Sequence, residues 1–412
     1  MEATSIIPVP KCSVISRMND LRPIALTAVP MKVCERLFLN RFNPLVAPFL
    51  DPLQFAYKAS RSCEDAILLL LQCLYSHLEH HGNSARVMFF DFSSAFNTIQ
   101  PHNLATKLIN MGIPHGFIHW IVKYLTNRTQ FVKLGPNCRS NIITSNTGAP
   151  QGTVLAPFLF TLYTSDCRSQ EKICPIIKFA DDTAMAVSFV VMMMGHISAS
   201  CSHSLTIVTV ILAINISKTK EMIIDFRRNA VEPPPVMIKG KEVERVHSYK
   251  YLGIHLNNRL TWDGHVDALV KKLNTRLYCL RKLSKFNVRT DIMQMFYNSI
   301  FCGVWRHCLI CWGGNVTKVE KDRIDHIIKK AGGVIGGQQH TVDSVYQSLL
   351  QTKLDSVWND CCHPLHCYLN DNVINRGSGR LRQPYTRTNR YRNSFTPCNQ
   401  TFQCQLTSLA VQ

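Results

Sequence analysis

Two runs of apolar residues set the frame of the chain. Ala85-Arg-Val-Met-Phe-Phe-Asp-Phe92 is almost continuously apolar and predicts a strand buried on both faces. Ile176-Ile-Lys-Phe-Ala-Asp-Asp-Thr-Ala-Met-Ala-Val-Ser188 predicts a buried β-hairpin with two acids at its turn. Between and around them the period changes to that of a helix. Ser62 and Asp65 have the form of a capping box, and Ile67, Leu70, Leu71, Leu74 and Leu78 then mark one helical face. Further helices are expected over 104–111, 117–125 and 154–163, and a short strand over 130–134. An amphipathic run through Met31, Val33, Leu37 and Phe38 follows the segment Leu21–Thr27.

After the hairpin the periodicity is lost: residues 190–212 are β-branched and methionine-rich, an aggregation hazard if exposed. It returns at 215–228. Pro233-Pro-Pro235 breaks the chain before a hairpin over 236–246, and 249–256 reads as a strand. From Trp262 the pattern is helical again. Val266, Leu269, Val270, Leu273, Leu277 and Leu280 form an apolar stripe, with Lys271, Lys272, Arg276, Arg281 and Lys282 around it. Helical patterns continue through 292–301 and 323–327, closed by Gly332-Gly333 and Gly336-Gly337.

Charge changes this picture at three positions. Asp181 and Asp182 are neighbouring like charges at a strand end, and Asp91 is a lone carboxylate in an apolar strand; such groups resist burial unless a cation neutralises them. If the two strands are neighbours, Asp91 and Asp181 converge across 90 positions (181 − 91). They can then hold a metal pair of the kind that clamps a phosphoryl transfer, with ions roughly 3.5–4 Å apart.

The strings FFDFSSAFNTI, TGAPQGTVLAPFLFTLYTSD, IIKFADDTA, NISKTKEMIIDFRR and YKYLGIHL, in that order, resemble the palm motifs of a reverse transcriptase from a non-LTR (LINE-type) retrotransposon. The resemblance runs from IIPVPK to about Arg392 and is weakest over 189–212. It implies an α/β right-hand polymerase with a ferredoxin-like palm. The division would be fingers 1–84, lacking their N-terminal part, palm 85–258, helical basic thumb 259–345 and a basic tail 346–412.

It further implies RNA-directed DNA synthesis: a primer 3′-OH attacks a dNTP on an RNA template, with two Mg²⁺ ions (or Mn²⁺) on Asp91, Asp181 and Asp182. Asp91 and Asp181 would bridge the ions and Asp182 be subsidiary. Lys218 or Lys220 would stand near the triphosphate, one of them as general acid toward pyrophosphate. Arg22, Phe92, Phe96, Gln151 and Gly152 would contact substrate, Phe96 as the gate against a ribose 2′-OH. Leu252 and Gly253 would form the primer grip. From the residues themselves, the Gly-rich loop ahead of the 154–163 helix would offer its N-terminus to phosphate.

Composition agrees with a polyanionic partner. Lys and Arg outnumber Asp and Glu by 46 to 27, a net charge of +19. The 17 cysteines are scattered and no signal peptide precedes them, which suggests reduced thiols and a nuclear or cytoplasmic site. The uncharged remainder of 183–217 is split by polar residues, too short on either side to span a bilayer, so stable membrane association is not expected. Ile6–Lys11 reads as the tail of a segment begun upstream of Met1. His77, His80 and His81 read as a solvated helix exit. Cys361-Cys-His-Pro-Leu-His-Cys367 fits no common zinc spacing. The competing class is a retroelement remnant that binds nucleic acid without catalysis.

Overall fold

The computed structural model describes residues 3–92, 95–169, 174–189, 214–228, 232–337, 340–370 and 386–395. Its centre is a five-stranded sheet of order β11-β8-β3-β7-β6. These are β3 (Ser84–Phe90), β6 (Ile176–Phe179), β7 (Asp182–Phe189), β8 (Lys220–Ile224) and β11 (Glu244–Arg245). β3 lies antiparallel between β7 and β8, with Phe90 opposite Thr183 and Phe89 opposite Lys220. The ends of three strands, each flanked by a motif residue, therefore meet on one edge.

Period-2 alternation divides β3 between two cores. Ala85, Val87 and Phe89 face a core that includes α2 (Cys63–Leu78) and the C-terminal helices; Met88 and Phe90 face a second one. That second core holds α1 (Val29–Val46), α3 (Pro101–Asn110), α4 (His115–Leu125) and α5 (Leu155–Tyr163). The capping box of α2 forms as read: the Asp65 amide donates to Ser62 Oγ, and the Ser62 amide to Asp65 Oδ2 at 2.8 Å.

A second sheet, of order β2-β1-β4-β5, stands beside the first. It is built from β1 (Thr4–Pro10), β2 (Leu21–Leu26), β4 (Arg128–Val132) and β5 (Ile143–Ser145). The expected hairpin over 236–246 appears as β9 (Met237–Ile238) and β10 (Lys241–Glu242).

Several expectations are corrected. The single strand over 249–256 is a hairpin, β12 (Ser248–Tyr251) and β13 (Ile254–Asn257), because Leu252 (φ 45°) and Gly253 (φ 93°) both turn left-handed. In α1, Val33 and Leu37 are exposed, whereas Phe42, Val46 and Glu35 are buried. Helix Lys318–Ile335 runs through Gly332-Gly333 and ends at Gly336, whose φ of 77° is the usual left-handed stop. The boundary expected at 345/346 falls inside the helix Val342–Trp358, which buries Tyr346, Leu350, Leu354 and Val357. α2 packs on one face of the central sheet.

Helix α6 (Asp263–Lys285) buries Val266, Leu269, Leu273, Leu277 and Leu280 and leaves its basic residues outward or half-buried. Among the described residues no helix is long and apolar enough to cross a membrane, and the cysteines are not joined in disulfides. The aperiodic segment 190–212 lies outside the described residues.

Candidate active site

The β6–β7 hairpin is closed by Ala180 and Asp181, with Phe179 opposite Asp182. Ala180 has φ 57°, a conformation that L residues enter only when something holds them there. Gln54 does so. Its buried side-chain carbonyl accepts from the Ala180 amide at 3.0 Å and its amide donates to the Ala180 carbonyl at 3.2 Å.

The backbone of 53–55 supports this by joining β6 as an added strand: the Lys178 amide donates to Leu53 and the Phe55 amide to Lys178, each at 2.9 Å. Beneath it Lys178 is buried, paired with Asp51 at 2.6 Å and donating to the Thr164 and Cys167 carbonyls at 2.8 Å. A buried charge so fully bonded anchors the hairpin. Neither Gln54 nor Asp51 stands out in the sequence, because their partners lie far along the chain.

Asp91 follows β3 and is half-buried; its carbonyl accepts from the Asn215 amide at 2.8 Å. Asp181 and Asp182 are exposed. Desolvation, then the Asp181 charge, then the Asp91 charge push the Asp182 carboxyl up to about 6. Asp182 thus senses both other acids at one end of the neighbouring strands β3 and β7. Their neighbours include two tyrosines that the sequence did not single out. Tyr57 is pushed up by burial and Asp181, and Tyr249, stacked on Phe89 at 4.2 Å, by burial, Asp182 and Asp91.

Hard carboxylate oxygens, with Asp182 raised by its two acidic neighbours, suit a divalent cation such as Mg²⁺, and the exposure of Asp181 and Asp182 leaves room for water ligands. Among the described residues, however, the group whose potential ligand atoms all lie within 4.8 Å of one another is Cys63, His307 and Cys308, not the carboxylates.

The Gly-rich loop ties this edge to the second sheet. The Ala149 amide donates to Phe96 at 2.8 Å and the Gly148 amide to Ile99 at 2.7 Å. On the other side the Ala25 amide donates to Gln151 at 2.6 Å. A Cβ on Gly148 would stand 2.7 Å from Asn97 Cα, and one on Gly152 2.9 Å from the Ala25 oxygen, so both positions require glycine. The helix N-terminus beyond the loop is not open to phosphate. The buried Glu35 carboxylate already occupies it, accepting from the Val154 amide at 2.6 Å and the Leu155 amide at 3.2 Å.

The other expected residues separate. Phe96 is half-buried, its ring 5.1 Å from that of Phe160. Phe92 is buried in the core, with its backbone bridged to Ile214. Arg22 is exposed on β2, opposite Val9. Lys220 donates to Glu244 at 2.5 Å and to the Ser217 carbonyl at 3.0 Å, while Lys218 is exposed on the preceding turn. The Leu252–Gly253 turn packs on His307, whose Nε2 lies 3.0 Å from the Leu252 carbonyl oxygen.

The tail histidines and cysteines disperse: His363 is buried against Asp65 at 3.3 Å, and Cys361, Cys362 and Cys367 are exposed.

A family model described as "Reverse transcriptase (RNA-dependent DNA polymerase)" matches residues 9–256. A short model, "Alkylated DNA repair protein alkB homolog 8, N-terminal", matches 262–301. Among curated relatives, the probable RNA-directed DNA polymerase from transposon BS of Drosophila melanogaster is 24% identical over 311 residues, 72% of this chain and 34% of that protein. The RNA-directed DNA polymerase from mobile element jockey of Drosophila funebris is 24% identical over 270 residues, 63% and 29% respectively. The probable RNA-directed DNA polymerase from transposon X-element of Drosophila melanogaster is 25% identical over 344 residues, 77% and 35%. The chain spans about a third of the length of these relatives.

Proposed function

The chain belongs to the reverse transcriptase family, with a right-hand polymerase fold, and from that premise we propose that it is the RNA-directed DNA polymerase of a non-LTR, LINE-type retrotransposon. The observation that carries this reading is that the pairing of β3 with β7 brings the three acids to one end of the central sheet, where Asp181 and Asp91 push the Asp182 carboxyl up. Asp91, Asp181 and Asp182 would hold the divalent cations, Mg²⁺ or Mn²⁺, with Asp91 and Asp181 as the principal ligands and Asp182 subsidiary. When bound, the metal pair lowers the charge barrier between an incoming hydroxyl and the phosphate it attacks.

The protein's own residues do the rest. Gln54 and the Asp51–Lys178 pair fix the angle of the acid turn. Lys218, exposed on the turn before β8, gives a proton to the leaving pyrophosphate in this reading. Lys220, held by Glu244, maintains the local charge balance. Gln151 and Gly152 position the template and the incoming base against β2, Phe96 selects dNTPs, and Arg22 meets their phosphates. The Leu252–Gly253 turn guides the primer backbone. Residues 259–345 act as the thumb, with α6 as its basic helix against the RNA template and DNA primer. The site of action is the nucleus or cytoplasm.

The test is primer extension on an RNA template with Mg²⁺ and dNTPs, comparing the protein with Asp181→Asn. Extension by the unaltered chain, at least about 10³-fold above the variant and with salt-sensitive template binding retained in both, is expected. Equal loss of binding and synthesis in the variant contradicts the assignment. Binding without synthesis by the unaltered chain marks a nucleic-acid-binding remnant.

A further inference from the structure

Cys63 opens α2, immediately after the Ser62 cap, and sits beneath the link between the helices Cys302–Arg306 and Leu309–Trp312. Its Sγ is 3.8 Å from Cys308 Sγ, which in turn is 3.5 Å from His307 Nε2. A tetrahedral zinc ion, at about 2.3 Å from thiolate sulfur and about 2.0–2.1 Å from imidazole nitrogen, sets these separations at about 3.8 Å and about 3.5 Å. Cys308 is moreover held at φ 50°, a left-handed conformation that cysteine seldom takes, and the Trp312 indole bonded to the His307 carbonyl at 3.1 Å helps fix the link.

We propose that Cys63, His307 and Cys308 form a binding site for a soft divalent cation, Zn²⁺ in the first instance, that fastens the C-terminal helices to α2. Two thiolates and an imidazole select against Mg²⁺, so this ion is distinct from any at the carboxylates. Three protein ligands leave a fourth position for water. The contact with Cys308 and burial push the Cys63 thiol up; the neighbouring Cys311 thiol and burial push Cys308 up, with Cys63 acting in the opposite direction.

Binding releases one proton from each thiol to solvent. The imidazole stays neutral: its Nε2 lone pair goes to the ion, its proton resides on Nδ1, and the bond to the Leu252 carbonyl is given up. The ion therefore also changes what holds the Leu252–Gly253 turn. The inference does not depend on the polymerase reading, since its test reads the ion alone.

The reduced full-length chain, stripped with a chelator, is titrated with Co²⁺ as a spectroscopic substitute and then with Zn²⁺. One equivalent of Co²⁺ should produce a thiolate-to-cobalt charge-transfer band that Zn²⁺ abolishes, with about two protons released per ion. Cys63→Ser and His307→Asn should each weaken binding at least about tenfold. Cys367→Ser should leave it unchanged. His307 is exposed, so His307→Asn keeps the test open if Cys63→Ser fails to fold.

Absence of the band in folded protein overturns the proposal. So does a band lost in Cys367→Ser but kept in Cys63→Ser, which places the ion in the tail. A Cys63–Cys308 disulfide, found by peptide mapping of protein purified without reductant, also overturns it.

Discussion

Two tight hairpin turns, β6–β7 and β12–β13, are held in different ways. The β6–β7 turn carries Asp181, with Asp182 opening β7, and is gripped at both the N–H and the C=O of Ala180 by Gln54, a buried, neutral and untitratable side chain. The β12–β13 turn carries no charge and is held at one carbonyl, that of Leu252, by an exposed imidazole. A turn that must present carboxylates at fixed positions is locked by two neutral bonds, which pH and metals leave alone. A turn that packs against a neighbouring helix link is held by a group that both can change. The comparison separates a part built for geometry from a part built for adjustment.

Breaking the first turn should have the larger effect. Gln54→Leu leaves the Ala180 amide and carbonyl without partners, a loss of about 1–3 kcal/mol, read as a fall in thermal midpoint. Extension should drop by roughly tenfold or more, since misplacing catalytic groups by about 1 Å can lower rates about 10²-fold. Near-normal activity in this variant would remove Gln54 from the account.

How much of this was legible in the sequence depends on distance and on contrast. Asp91, Asp181 and Asp182 stood out because charge interrupts apolar strands, and the Ser62–Asp65 cap because its partners are three residues apart. Gln54 was illegible because its partner lies 126 residues away and Asp51–Tyr57 contains nothing unusual for a loop. Glu35 looked like one polar position of an amphipathic helix, whereas it caps a helix 119 residues downstream. The Leu252 turn was read as strand because leucine is not a turn former; only the pairing of Tyr251 with Ile254 reveals it. Cys63 and Cys308 are 245 residues apart, and no local spacing announces them.

The carboxylate turn should also answer to pH and metal, with a middling effect. A carboxyl raised from 3.8 to about 6 in the fold contributes stability that is fully present below pH 3.8 and is lost as pH rises through about 6. A cation on the deprotonated acids restores what is lost. The thermal midpoint should therefore rise with Mg²⁺ above pH 6 and change little below pH 5. Equal Mg²⁺ effects at both pH values would sever the ion from Asp182.

The smallest effect belongs to the second turn. Gly253→Ala places a methyl 2.7 Å from His307 Nε2 at φ 93°, and should lower stability by about 1–2 kcal/mol. Because the imidazole can swing aside, extension should change less than in Gln54→Leu. A larger loss of activity than Gln54→Leu produces would invert the ranking of the two turns.

The central claim is that Asp91 and Asp181, 90 positions apart, serve one site. Primer extension by Asp91→Asn, Asp181→Asn and the double variant tests it most directly. The account predicts that each single change abolishes synthesis and that the double is no worse than either, with template binding intact throughout, as for residues acting as one unit. Synthesis retained by Asp91→Asn, or two partial losses that multiply in the double variant, would contradict it.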